Sequence, residues 1–311
     1  MNWYRGCETF VRQHAPLADL TSYRVGGPAE FFAEPPDAEA LRRLLGSAKA
    51  ANQPVRVLGR GTNLLVADSG VRGLVVHLPQ AGFGALECQG LLVRAGAALG
   101  LPKLVNWCAA HDLQGLECLQ GIPGCVGAAL RMNAGGKHGR IGSRVRRVCG
   151  FEGDGTPFDA GAEECGFAYR GSRLNGRIVT SCELALSAGD EAACRSRLAE
   201  IIREKAASQP LGARSAGCVF KNPSLPHVPP AGKLLDELGL KGLRLGGAAV
   251  STQHANFLVC EGRASASDLV QLIRLIRRLV YEARGVMLEL EIEAWGIEAE
   301  ELMPPCATLA A

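Results

Sequence analysis

The sequence predicts an α+β chain folded into two or three compact units, and three observations carry that reading. The 311 residues are more than one hydrophobic core usually organises, and 47% hydrophobic against 21% charged residues is an ordinary globular balance. Short strand patterns alternate with helical ones, so sheets and helices share the units. The 39 glycines beside only 5% aromatic residues imply many tight turns and close backbone approaches, as nucleotide-binding loops require.

Charge excludes several partner classes. With 34 basic and 31 acidic residues, the net charge of +3 is too balanced to argue for nucleic acid. The densest basic cluster, Arg140, Arg144, Arg146 and Arg147, reads as a solvated face. No run reaches the ~18 apolar residues of a membrane span. The N-terminal MNWYRGCETFVRQH has no apolar stretch with a small-residue cleavage site, so a cytoplasmic protein is expected. Twelve cysteines are scattered singly without metal-ligand spacing. No metal is therefore expected, and most thiols read as reduced core residues.

In chain order, residues 1–20 show no clear pattern. Residues 20–35 read as two short strands broken by Gly26-Gly27-Pro28. Asp37 can cap a helix to about Ala51, with Leu41, Leu44, Leu45 and Ala48 on one face. The apolar strand Val55–Leu58 follows, and this βαβ-like start implies a parallel strand pair with a loop at its carboxyl end. That loop, Gly59–Leu64, has two glycines for close approach and the side chains of Thr62 and Asn63 for hydrogen bonds. Its N–H groups can form an anion nest, although it is neither a dinucleotide fingerprint nor a P-loop.

Leu101–His111 reads as a second helix. Beyond it, Gly121, Gly124 and Gly127 flank Pro123, which can open a helix from Val126 to Met132. A glycine turn at a helix N-terminus is a second phosphate cradle. Two cradles about 60 residues apart suit a dinucleotide with two phosphates. Val145–Phe151 and Arg177–Leu186 read as strands, with FAYRGS between them. A boundary is expected near 188, then a helix from Glu191 to about Ala207.

Ser215–Pro223, SAGCVFKNP, is too polar for a core strand and too short of periodic apolar positions for a helix. It reads as a tight loop presenting Ser215, Cys218, Lys221 and Asn222, or as a surface turn with an inert thiol. A short helix at Ala231–Leu238, a loop and strand over 246–260, and a helix opened by Ser265 with Asp268 and closed by Gly285 follow. Val286–Trp295 reads as the closing strand.

Taken together, SYRVGGPA, GRGTNLLVADSGVRGLVV, GIPGCVGAALRMNAG, FAYRGS, QPLGARSAGCVFKNP with AGKLLDELGLKG, and STQHANFLV with GVMLELEIEAWG resemble the UDP-N-acetylenolpyruvoylglucosamine reductase (MurB) family. The blocks keep the family's order over roughly residues 20–296, and the chain is similar to the shorter branch, which lacks an inserted substrate loop. The resemblance implies a two-lobed FAD-binding domain of the vanillyl-alcohol oxidase type followed by an α/β substrate-binding domain. The expected boundaries are an N-terminal segment 1–19, lobes at about 20–80 and 86–188, a substrate domain 189–297, and a poorly ordered tail 298–311.

It further implies FAD-mediated, NADPH-dependent reduction of UDP-N-acetylglucosamine enolpyruvate for peptidoglycan synthesis, by a monomer without nucleic-acid or membrane partners. The cofactor candidates are Tyr23, Arg24, Val25 and Gly26; Gly59, Arg60, Gly61, Thr62, Asn63 and Leu64; Gly121, Ile122, Pro123, Gly124, Cys125, Val126 and Gly127; and Met132, Asn133 and Ala134. Arg170 fits the family's catalytic arginine and Glu291 its strand glutamate, with Glu289 or Glu293 as alternatives. Cys218 stands where the commonest pattern has serine, as the proton donor; a thiol is a much stronger acid than an alcohol.

Tyr169, Lys221, Asn222, His254 and Asn256 are expected substrate or NADPH contacts, although His254 reads equally well as a structural histidine. Two further departures are Gly127-Ala128, where a Gly-Gly pair is common, and Gly136-Lys137-His138, where an alanine and an aromatic are usual. A flavin oxidase on the same scaffold would explain residues 20–187 but not the SAGCVFKNP and HANFLV blocks. A catalytically silent flavin-binding module is the non-enzymatic alternative, which retention of Arg170 and Glu291 argues against.

Overall fold

A computed structural model of the chain describes residues 3–304. The chain divides into two compact units, the first from residues up to 14, 30–60 and 73–205, the second from 15–29, 61–72 and 206 onward.

Two sheets organise the first unit. A four-stranded sheet takes the order Val11–Pro16, Pro28–Ala33, Val71–His77, Val55–Leu58. Its parallel pair is Val55–Leu58 with Val71–His77, so the loop after Leu58 lies at a strand's carboxyl end as the βαβ pattern implies. The Ala38–Ala50 helix starts where expected, because the Asp37 carboxylate accepts the Ala40 N–H at 2.8 Å. The second sheet is antiparallel, ordered Pro157–Gly161, Val145–Phe151, Ile178–Ala185, Leu92–Gly96, Leu86–Gln89. One buried cluster, including Leu41, Leu74, Leu104, Val148 and Leu184, runs through the unit.

Three sequence expectations change here. The N-terminal stretch without a pattern contains the Val11–Pro16 strand, whose Arg12, Gln13 and His14 are all exposed and hide the alternation. The Glu191–Ser208 helix, expected beyond a boundary at 188, belongs with the first unit through Lys205 and buries Cys194 and Leu198 in its core. Residues 15–29 and 61–72 cluster with the second unit, although the sequence reading puts 15–19 in an N-terminal segment and 20–29 and 61–72 in the cofactor domain.

The second unit is built on the Ala266–Arg284 helix. Ser265 and Asp268 form the capping box, and Gly285 closes the helix at φ +65°. The helix buries Leu269, Leu272, Ile273, Ile276 and Val280 against a three-stranded antiparallel sheet, Arg244–Leu245, Ala248–Val250 and Leu258–Cys260. Leu64–Val66 pairs in parallel with Glu293–Trp295.

The closing strand is shorter than its pattern suggests. Leu290 bridges Phe220, while regular pairing begins only at Glu293 with a different partner, so the segment turns between them. SAGCVFKNP is not a tight loop either. It runs extended, with Cys218 bridged to Phe257 and Phe220 to Leu290, and Val219 and Phe220 are fully buried.

The tail does not lose structure at 298. Ala299–Leu302 form a short 3-10 helix, Leu302 is buried, and its carbonyl accepts Arg277 Nη1 at 2.8 Å. Residues 305–311 of the expected tail lie outside the described residues. No helix among the described residues is long and apolar enough to cross a membrane, and none of their side chains group as metal ligands.

Candidate active site

In the first unit, FAYRGS closes a tight turn. Ala168 donates its N–H to Gly171 O at 2.9 Å and accepts that of Gly171 at 3.4 Å, which leaves Tyr169 and Arg170 at the tip. Arg170 has φ +55°, a left-handed conformation that costs a side-chain-bearing residue about 1 kcal/mol. Such strain persists where surrounding structure enforces it. Arg170 Nη1 donates to Gly135 O at 3.2 Å. The exposed Tyr169 ring lies 5.3 Å from the Arg140 guanidinium and 5.7 Å from that of Arg170. Asn133 Nδ2 donates to Ala168 O at 2.7 Å, and its Oδ1 accepts the Gly142 N–H at 3.0 Å.

Gly59 and Arg60, the start of the first glycine loop, meet the second loop in this unit. A Cβ on Gly59 would lie 3.0 Å from Cys125 Sγ and 3.3 Å from Ala128 Cβ, so a larger residue would push these neighbours back by a few tenths of an ångström. The Arg60 guanidinium packs against Gly100, 2.9 Å from where a Cβ would stand. Burial raises the Cys125 thiol pKa against the lowering pull of the Ala128 amide and Arg60. The expected helix-terminus cradle is narrower than its pattern implies: the Val126 and Gly127 N–H groups donate to Leu99 O and Ala97 O, both at 2.9 Å. Within this unit, Gly59, Gly121, Ile122 and Gly127 of these loops are half-exposed, with Arg60 and Pro123 exposed. Half-exposed glycine backbone beside a cation fits a pyrophosphate, and this is the chemistry of FAD's central link.

Sequence reasoning missed Lys205. Its Nζ donates to Gln120 O, and its stem lies 3.0 Å from a Cβ built on Gly121. Burial lowers its pKa. The available signal was its place four residues after Ile201, on the helix face that carries Cys194, Leu198 and Ile201 inward.

In the second unit, the Tyr23–Gly27 and Gly61–Leu64 segments pack together. Gly61 at φ +60° leaves no room for a Cβ beside Leu20 O, 2.1 Å away, and its carbonyl accepts the Ser22 N–H at 3.0 Å. Tyr23 and Val25 are core residues, at 0% and 6% exposure, and offer no surface to a ligand. Their side chains pack into the second unit's core beside this loop. The Tyr23 hydroxyl has no hydrogen-bond partner of normal geometry, although it lies against the Ala216 backbone, and burial drives its pKa far up. Asn133 and Ala134, at 5% and 6%, are likewise inside the first unit.

A cavity of about 240 Å³ in the second unit is lined by Cys218, Asn222, Lys233, His254 and Asn256, among others. It brings together four residues from the sequence list and adds Lys233. Asn256 is spent on framework: its Oδ1 accepts the Phe220 N–H at 2.9 Å and its Nδ2 donates to Phe220 O at 2.8 Å. Asn222 Oδ1 accepts the Ala231 N–H at 3.0 Å, at the start of the Ala231–Glu237 helix. His254 Nδ1 accepts the Asn256 N–H at 3.2 Å, which places the proton of the neutral ring on Nε2. Burial lowers its pKa, with Lys241 adding to the effect.

Glu291 reaches the same segment as Cys218, since its N–H donates to Val219 O at 2.7 Å. Glu289 differs: its side chain is 74% exposed and pairs with Lys221 at 3.2 Å. Arg170 and Tyr169 belong to the first unit, and Cys218, Lys221, Asn222, His254, Asn256 and Glu291 to the second.

Comparison with known proteins gives a consistent result. Residues 29–160 match the FAD binding domain family, and residues 209–295 match the C-terminal domain of UDP-N-acetylenolpyruvoylglucosamine reductase. UDP-N-acetylenolpyruvoylglucosamine reductase 2 of Symbiobacterium thermophilum is 42% identical over 92% of both chains. The reductase of Anaeromyxobacter dehalogenans strain 2CP-C is 42% identical over 91% of this chain and 84% of its own. The crystal structure of the Thermus caldophilus reductase, MurB, superposes with a TM-score of 0.80 at 40% identity, covering 92% of this chain and all of that one. The BBE-like protein 28 of Arabidopsis thaliana shares fold alone, with a TM-score of 0.50 at 13% identity over 61% of this chain and 43% of that one. With FAD-binding and C-terminal domains in the expected order, the chain belongs to the UDP-N-acetylenolpyruvoylglucosamine reductase family.

Proposed function

We infer that this protein reduces UDP-N-acetylglucosamine enolpyruvate to UDP-N-acetylmuramate, with NADPH as reductant and FAD as hydride carrier, in peptidoglycan precursor synthesis. Bound FAD would supply the hydride chemistry, carrying a hydride drawn from NADPH to C3 of the enolpyruvyl group. Negative charge then develops on C2 and its carboxylate, and the residues have three tasks: hold the carboxylate, stabilise that charge and protonate C2.

The observation that carries the reading is the Cys218 thiol in the wall of a cavity shared with His254 and Lys233. Cys218 donates the proton to C2; a thiol with reference pKa of ~8.5 is mostly protonated at neutral pH. Arg170 offers a fixed, always protonated fork to the carboxylate. Glu291 is favoured over Glu289 for charge stabilisation or proton delivery, because it is half-buried with its backbone tied beside Cys218, whereas Glu289 is exposed and ion-paired. Neutral His254 presents Nε2–H as a donor, and Lys233 adds positive charge suited to a nucleotide diphosphate. Gly59, Arg60, Gly121 and Lys205 hold the FAD pyrophosphate.

NADPH and a nucleotide-linked sugar are cytoplasmic metabolites, which supports a cytoplasmic enzyme. A monomer of 32.8 kDa is expected on gel filtration. The test of the chemistry is anaerobic reduction by NADPH followed by mixing with the enolpyruvyl nucleotide. Cys218→Ala is expected to accept electrons normally and to lose reoxidation by substrate. Unchanged reoxidation would remove Cys218 from the mechanism, and peroxide formation without the nucleotide would replace a reductase by an oxidase.

A further inference from the structure

Asn133 stands in the stretch that the sequence assigns to the cofactor, yet its side chain is buried and both of its polar ends are spent on backbone. Nδ2 holds Ala168 O at 2.7 Å and Oδ1 holds the Gly142 N–H at 3.0 Å. Ala168 is the residue whose N–H and carbonyl close the turn that carries Arg170. A second tie reaches the same turn from the next residue but one, where Ser172 Oγ donates to Arg131 O at 2.8 Å. The Arg170 guanidinium in turn rests on Gly135 O, two residues beyond Asn133. Asn133 and Arg170 are both left-handed, at φ +47° and +55°. Asparagine tolerates that conformation, whereas arginine adopts it only under constraint.

We infer that Asn133 is a positioning residue for Arg170, locking the 168–171 turn so that the guanidinium is held ready for the substrate carboxylate. The inference rests on the reading of Arg170 given above. Gly142 completes the clamp: a Cβ there would lie 2.6 Å from Phe167 Cγ and 2.7 Å from Asn133 Oδ1, so any larger residue pushes the asparagine off its bonds. A guanidinium released from such a clamp still carries its charge but loses its orientation, and misplacement by about 1 Å is enough to cost roughly 100-fold in rate.

Asn133→Asp is the informative change. It keeps the left-handed backbone and the acceptor for Gly142, but it sets a carboxylate oxygen against Ala168 O where a donor stood. In the FAD-loaded enzyme, substrate-driven reoxidation is expected to slow about 100-fold while flavin content and the rate of reduction by NADPH stay near wild type. In the same variant without cofactor, hydrogen exchange of the 167–172 peptide is expected to rise. Arg170→Ala is measured beside it, alone and combined. If Asn133 acts through Arg170, the double variant is no slower than Arg170→Ala alone.

Multiplying losses, wild-type reoxidation in Asn133→Asp, or unchanged exchange of the turn would overturn the inference while Arg170 keeps its role. Wild-type reoxidation in Arg170→Ala would instead remove the arginine's role, and the inference with it. Should Asn133→Asp not accumulate, Gly142→Ala presses on the same clamp and is judged by the same outcomes.

Discussion

Asn63 Nδ2 donates to the backbone carbonyl of Glu291 at 3.0 Å, and Glu293 returns its N–H to Asn63 O at 2.9 Å. A glycine-loop residue is thereby laced to the strand that carries the candidate glutamate. Glu291 in turn donates its backbone N–H to the carbonyl of Val219, the residue after Cys218, so hydrogen bonds join the loop to the backbone that carries the glutamate and the thiol. Asn63→Ala leaves the Glu291 carbonyl without this donor, at about 1 kcal/mol in stability. Reoxidation by substrate is expected to fall about tenfold, with FAD affinity reduced as well. A stopped-flow comparison with wild type reads both, and an unaltered reoxidation rate would show that the lacing does not position Glu291.

The chemistry assigned to Cys218 predicts a graded series. Cys218→Ser restores the commoner family residue and keeps turnover, whereas Cys218→Ala loses general-acid catalysis, typically 10²–10⁴-fold. Iodoacetamide is expected to inactivate the wild type and to spare Cys218→Ser. Burial pushes the thiols of Cys108 and Cys182 up to about 12 and that of Cys260 up to about 11, so mass spectrometry should find them unlabelled at pH 8. Equal inactivation of Cys218→Ser would place the sensitive thiol elsewhere.

Local signals were the legible part of this fold. Asp37, the Ser265–Asp268 box and Gly285 each mark a helix end because capping is written within a few residues. The SAGCVFKNP segment was misread as a loop because its partners, Phe257 and Leu290, lie 39 and 70 residues away in sequence. Its burial comes from those bridges and from no periodicity of its own. The resemblance named the candidate residues but not how each is used. Tyr23 and Asn133 are polar residues in motif positions, and their burial, with the Asn133 bonds to Ala168 and Gly142, is written in no local pattern. Asn256 reads as a ligand contact, and the sequence does not reveal that its amide also bonds the Phe220 backbone at both ends.

Lys205 tests whether the first unit's loops hold the pyrophosphate together. Its ammonium caps Gln120 O immediately before Gly121, and removing it loosens the loop and takes away a cation. Lys205→Met keeps most of the apolar stem beside Gly121. FAD affinity is expected to fall about tenfold, or ~1.4 kcal/mol, by titration of the apoprotein. Since burial lowers the Lys205 pKa, wild-type affinity should also decline with rising pH before an ordinary lysine would lose its proton, and Lys205→Met should lack that decline. Parallel pH profiles would show that Lys205 does not sense the cofactor.

His254 makes the last prediction, and its sign is set by burial. Its pKa is lowered first by desolvation and then by Lys241, and Nδ1 already accepts the Asn256 N–H. Protonation requires a charge in a half-buried site and breaks that bond. The unfolded chain therefore binds a proton near pH 6.5 that the folded chain refuses until lower pH. The stability His254 contributes is full above about pH 6.5 and is lost as pH falls from there to the depressed folded value. His254→Gln removes this titration, so melting temperature should fall less steeply below pH 6.5 in the variant than in wild type. Proton NMR of the ring should report a midpoint below 6.5; a midpoint at or above it would mean that the imidazole is charged when substrate arrives, and that it serves as a cation in place of a neutral donor.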